Sequence, residues 1–115
     1  MESFRSHCLA RKGVTEEFPF DENTLVFKVM GKMFALTDVD EFSSINLKCE
    51  PSESVELQEQ YAAVTPGYHM NKSHWITVVM DHSVGDRFIY AWVDRSYALV
   101  VNKLTKREKI LLESM

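Results

Sequence analysis

Apolar and polar positions follow two periods along the 115 residues, and the change of period marks where strands give way to helices. Residues 24–30 and 32–37 are rich in β-branched, aromatic and aliphatic side chains, with Leu25, Phe27 and Val29 on one face and Lys28 on the other. Gly31-Lys32 separates the two runs, and a glycine at the first central position is what a two-residue type II′ turn requires, so they are expected to pair antiparallel. The acidic residues 38–41 turn the chain. A third run, 44–49, alternates Ile45, Leu47 and Cys49 with Asn46 and Lys48, and a fourth, 75–80, reads Trp-Ile-Thr-Val-Val-Met.

Elsewhere the apolar spacing is helical. Phe4, Cys8 and Leu9 share one side of a first helix over 2–12, which Gly13 ends. Residues 14–20 read as an irregular, extended connection because of Pro19, with Phe18 and Phe20 expected to pin it to the core. Pro51 favours a helix start, since its missing N–H would be unpaired there anyway; Glu53, Glu56 and Glu59 take the exposed side, and Val55 and Leu57 face partly inward. Ser83 and Asp86 fit a capping box that opens the main helix near Val84, where Phe88, Ile89, Trp92, Val93, Leu99 and Val100 recur on one stripe and Ser96 leaves room for close packing. Thr105 and Glu108 suggest a second box before Ile110, Leu111 and Leu112. The expected fold is a single α+β domain over 1–115, an antiparallel sheet of about four strands with helices packed on one face.

Composition narrows the class. With 45% hydrophobic and 26% charged residues the chain is an ordinary globular sequence, and no apolar run approaches the length that spans a bilayer. The first residues lack a basic segment followed by an apolar core, so a cytoplasmic protein with no membrane partner is expected. Cys8 and Cys49 are expected as buried free thiols, and no zinc-binding spacing is present. The net charge of −4 counts against a strong nucleic-acid binder, yet its distribution is uneven: residues 36–60 hold seven acids and one lysine, whereas 95–109 hold five basic residues and one acid.

The densest candidate chemistry lies in residues 64–75, where Pro66-Gly67 turns the chain and two aromatics, two histidines and a lysine lead into the last strand. Strand alternation turns Lys28, Asn46 and Lys48 to the open sheet face, where Tyr68, His69, Asn71, Lys72, His74 and Trp75 complete a candidate pocket for a small anionic ligand or a stacked base. The plainer alternative has solvated lysines and aromatics that seal the core edge. His69, His74 and His82 lack metal-site spacing and are expected to be structural, so no metal and no cofactor is implied. Ser73-His74 makes no triad, no nucleophile elbow occurs, and Gly31 and Gly67 are isolated turn glycines; no catalytic residue is expected. A candidate DNA-binding set comprises Lys32, Lys72, Arg95, Lys103, Lys106, Arg107 and Lys109, although Lys103 would also complement a helix dipole.

Three blocks carry a family resemblance: Lys28-Val29-Met30-Gly31-Lys32-Met33-Phe34-Ala35, Asn46-Leu47-Lys48-Cys49-Glu50-Pro51, and Gly67-Tyr68-His69-Met70-Asn71-Lys72-Ser73-His74-Trp75. Their order and spacing resemble the MmcQ/YjbR family of small bacterial proteins over nearly the whole chain. The resemblance implies an α+β topology similar to secretion-chaperone or frataxin-like folds, and weak DNA binding. The expectation is a non-enzymatic binding protein for DNA, with a small-anion or protein-interaction module at loop 68–75 and the open sheet face as the alternative. Charge placement discriminates them: a basic surface joining Lys72 to Lys106 favours DNA, and scattered lysines beside a concave aromatic pocket favour the ligand.

Overall fold

Among the described residues each strand pairs antiparallel with its neighbours, and the helices collect on one side of the sheet that the strands form. The computed structural model describes residues 1–68 and 70–115. In chain order the elements are α1 (Glu2–Leu9), β1 (Val14–Glu17), β2 (Thr24–Val29), β3 (Lys32–Asp38), β4 (Ser44–Lys48), α2 (Pro51–Gln60), β5 (Val64–Pro66), β6 (Trp75–Val79), α3 (Asp86–Asn102) and α4 (Lys106–Glu113). The described residues form a six-stranded sheet in the order β1-β2-β3-β4-β6-β5. The α+β layer is as expected, with two short edge strands added to the four anticipated. Residues 14–17, expected as a connection, form β1 because their backbone pairs with β2 from Val14↔Val29 to Glu17↔Val26. Phe18 and Phe20 are not pinned to the core; they are 50% and 64% exposed.

The β2–β3 turn differs from the expected one. Val29 pairs with Lys32, so the central residues are Met30 and Gly31, both at positive φ (51° and 78°). That is a type I′ geometry, whose twist matches that of the strands. Met30 tolerates the left-handed conformation while its side chain packs against the main core. Close by, the β2–β3 register shifts between Phe27 and Lys28. The resulting bulge sends both Phe34 and Ala35 to the helix side, whereas simple alternation would send only one.

The helix side holds the main core, in which Phe27, Phe34, Ile45, Leu47 and Val78 are fully buried against Phe4, Cys8, Trp92 and Val93. The β3–β4 seam is short, running only from Ala35↔Leu47 to Thr37↔Ile45. Beyond it Ser96 of α3, completely buried, donates to the Phe34 carbonyl at 2.6 Å and accepts from the Lys48 N–H at 2.8 Å. The small residue anticipated as packing space therefore also supplies the rung that the bulged ladder lacks.

Helix ends follow local chemistry with one exception. Thr105 and Glu108 form the expected reciprocal capping box of α4. Ser83 and Asp86 do not cap α3: Ser83 bonds Asp81 instead, and the helix starts at Asp86 behind Gly85. In α2, Leu57 is buried but Val55 is 56% exposed. The α1 helix ends at Leu9, earlier than expected, and is tied down by the Arg5 guanidinium on the Glu16 carboxylate of β1 and by His7 and Arg11 on Asp94 of α3, each at 2.8 Å. The cysteines are free and buried, and burial pushes both thiols up to about 12, with the Glu53 charge adding to the effect at Cys49. No helix among the described residues is long and apolar enough to cross a membrane.

Candidate functional site

Opposite the helices the sheet carries its own small apolar floor. Val26, Leu36 and Trp75 are buried there, and Met33 and Met70 pack against them. Met70 of loop 67–74 packs on this floor, and at Gly67 the chain leading to it is held against β6. Gly67 donates to the Trp75 carbonyl at 2.9 Å, and a β-carbon on Gly67 would stand 2.7 Å from that of Trp75. Only glycine permits this approach.

Between this loop and the β1–β2 connection lies a groove of about 530 Å³, a size that suits a small molecule or a short peptide stretch. Phe20, Asp21 and Thr24 form one wall, Tyr68 and Met70 the other, and Leu36, Thr37, Asp38, Ser44 and Asn46 the floor and one end. Tyr68 is 67% exposed, so with Phe20 on the opposite wall it makes an aromatic rim. A hydrogen-bond relay orients the polar part of the floor. The Tyr68 N–H donates to Thr77 Oγ1, and the Thr77 hydroxyl donates to Asn46 Oδ1. With its oxygen so engaged, Asn46 offers its amide N–H groups to an occupant.

One end of the groove is acidic. Thr24 is the register partner of Asp38, and its hydroxyl and N–H both bond Asp21, so Thr24 stands between two carboxylates. Asp21 is held below its ordinary value by the N–H groups of Asn23 and Thr24 and by the Thr24 hydroxyl. For Asp38 burial favours the neutral acid, but hydrogen bonds from Ser43 and Ser44 outweigh it and the net displacement is downward. Both are therefore ionised at neutral pH, and among the described residues neither has an ion-pair partner.

The candidate pocket residues divide. Asn46 and Tyr68 line the groove, and Trp75 lies buried in its apolar floor. Lys28 is half-buried on the same face but paired to Glu17 of β1 at 3.0 Å. Asn71 accepts from the Ser73 N–H within the loop, Lys72 is exposed, and His74 is half-buried with its carbonyl accepting from Cys49 N–H. The expectation for His69 falls outside the described residues. Lys48 sits at the far end of β4, where burial and then the charges of Lys103 and Lys32 hold it below its ordinary value. No group of three or more His, Cys, Asp or Glu among the described residues could hold a metal ion.

Of the candidate DNA-binding residues, Arg95 pairs with Glu53 at 3.2 Å. Lys103, Lys106 and Arg107 are exposed around the α3–α4 corner, with Lys109 half-buried on the next turn, and Lys48 is close enough to both Lys103 and Lys32 for their charges to act on it. What sequence reasoning missed are the groove residues Phe20, Asp21, Leu36, Asp38 and Met70. The aromatic spacing of Phe18 and Phe20 about Pro19 was their only local signal.

A family model described as YjbR matches residues 9–99. The chain belongs to the YjbR family. It is 35% identical to YjbR of Escherichia coli K12 over 107 residues, covering 92% of this chain and 91% of that protein. It is 38% identical to YbdF of Escherichia coli O157:H7 over 93 residues, 80% of this chain and 76% of that one. The crystal structure of Deinococcus radiodurans DR2400, a DUF419 domain, superposes with a TM-score of 0.90 at 39% identity, covering 97% of this chain and 86% of that one. The YjbR match takes in both walls of the groove, from β1 through loop 67–74 to most of α3. As a YjbR domain the chain thus presents one closed, helix-covered sheet face and one open face.

Proposed function

We propose that this YjbR-family chain is a non-enzymatic, cytoplasmic binding module that receives its partner on the open sheet face. The observation that supports it is the groove: a concave apolar floor on a face that none of the described helices covers, rimmed by exposed Phe20 and Tyr68. Exposed aromatics gathered at one place mark an interaction surface, whereas scattered ones do not. Lys28 being neutralised by Glu17, and Lys48 lying at the other end of the strand, also favour this reading over a phosphate- or carboxylate-binding pocket. Two buried, protonated thiols suit a reducing compartment.

The test is an amide chemical-shift titration of labelled protein against a fragment and short-peptide panel, repeated on Phe20→Ala and Tyr68→Ala. Shifts converging on Leu36, Asn46 and Met70, weakened in both variants, are the expected result. Binding that maps elsewhere, or is indifferent to both substitutions, refutes the groove.

A second reading, weak DNA binding, rests on one local conflict. Lys106 and Arg107 occupy the first turn of α4, where the helix dipole disfavours cations, and Lys103 and Lys32 add to the same field. Sequence tends to break such a rule where function requires it. Fluorescence anisotropy with random duplexes checks it: affinity at low salt that falls steeply with added salt is expected, and none at low salt removes DNA from consideration.

A further inference from the structure

Two ionised carboxylates that have no cationic partner among the described residues stand at the end of an apolar groove. Among those residues Asp21 and Asp38 bond only neutral donors, so their charge is oriented but not compensated. Beside them Phe20 and Tyr68 present aromatic rings, whose faces attract a cation. Further along, Leu36 and Met70 offer apolar surface, and the Asn46 amide offers donors that a peptide carbonyl would accept. An anion would meet the wrong sign of charge at one end, and a wholly apolar ligand would leave the carboxylates facing hydrocarbon.

Resting on the groove reading above, we propose that the occupant is an extended peptide segment of a partner protein, with a lysine or arginine side chain directed at the acidic end that Asp21 and Asp38 form on either side of Thr24. The adjoining residue's apolar side chain lies on Leu36 and Met70, and its backbone carbonyl accepts from Asn46. The cation carries the selectivity and the aromatic rim carries the area. A polyanion is repelled from this end of the molecule, which separates the surface from the basic α3–α4 corner.

The experiment titrates the full chain with acetylated, amidated Leu-Lys-Leu and with the same peptide carrying norleucine or glutamate in place of the lysine. The lysine peptide should bind about tenfold tighter than the norleucine peptide, a charge contribution of about 1.4 kcal/mol, with the margin lost at high salt. Asp21→Asn, an exposed position, should remove most of the margin, and Asp38→Asn should do likewise. Phe20→Ala should weaken all three peptides, the lysine peptide most, because the ring supplies both apolar area and a cation-attracting face. Equal binding of lysine and norleucine peptides in the groove, or preference for glutamate, overturns the cation and leaves the groove standing. Butylamine binding as tightly as the lysine peptide overturns the peptide occupant. Failure of every peptide to perturb Leu36, Asn46 or Met70 overturns the groove reading as well.

Discussion

Replacing Ser96 by alanine removes one oxygen and strands two backbone groups, the Phe34 carbonyl and the Lys48 N–H, in a buried seam. An unpaired buried group costs about 1–3 kcal/mol, so with two such groups urea denaturation of Ser96→Ala should show a loss on the order of 2–6 kcal/mol at unchanged m. Gly67→Ala forces a carbon against Trp75 and should lower the thermal midpoint while shifting the amide signals of loop 67–74. Asp38 gives a pH signature. Its folded-state pKa lies below the ordinary 3.8, so its contribution is complete above that value and is lost as pH falls through the folded one. Wild-type midpoints should therefore drop on acidification in this range, and Asp38→Asn should be less stable at neutral pH with a flatter acid limb.

At the scale of elements, what could be read in the chain was whatever local chemistry decides. The Thr105–Glu108 box is self-contained, which is why α4 starts where expected; Thr105→Ala should cost about 1 kcal/mol, read from a denaturation curve. Ser83–Asp86 has the same spacing but fails, because Asp81 stands two residues upstream and captures the Ser83 hydroxyl and N–H first. Edge strands β1 and β5 were hidden for another reason: four and three residues carry too little alternation to be recognised, and they are strands only because β2 and β6 lie beside them. The turn type escaped because it depends on which residues pair, and the bulge after Phe27 moved that register.

Across the whole molecule the charges separate into two districts, an acidic end of the groove at Asp21 and Asp38 and a basic corner where α3 meets α4. The aromatic half of the candidate site was visible as a loop with unusual content. Its other wall was not, since Phe20 and Asp21 come over the floor only once β1 has folded back on β2, and the same unseen strand supplies the Glu17 that occupies Lys28. Because the districts are distinct, Lys106→Glu with Arg107→Glu should abolish any DNA affinity in anisotropy and leave peptide binding in the groove unaltered.

The three-pair seam between β3 and β4 gives the sheet the outline of a tuning fork: past Ala35↔Leu47 the β2–β3 ribbon and the β4–β6 ribbon continue as separate tines, with Ser96 at the crotch. At the fork the Phe34 carbonyl and the Lys48 N–H are both satisfied by Ser96, so the tip of the β2–β3 tine can gain or lose a pair of residues without disturbing β4. A two-residue insertion at the Met30-Gly31 tip should therefore lower the thermal midpoint less than one placed in β4 beside Ser96.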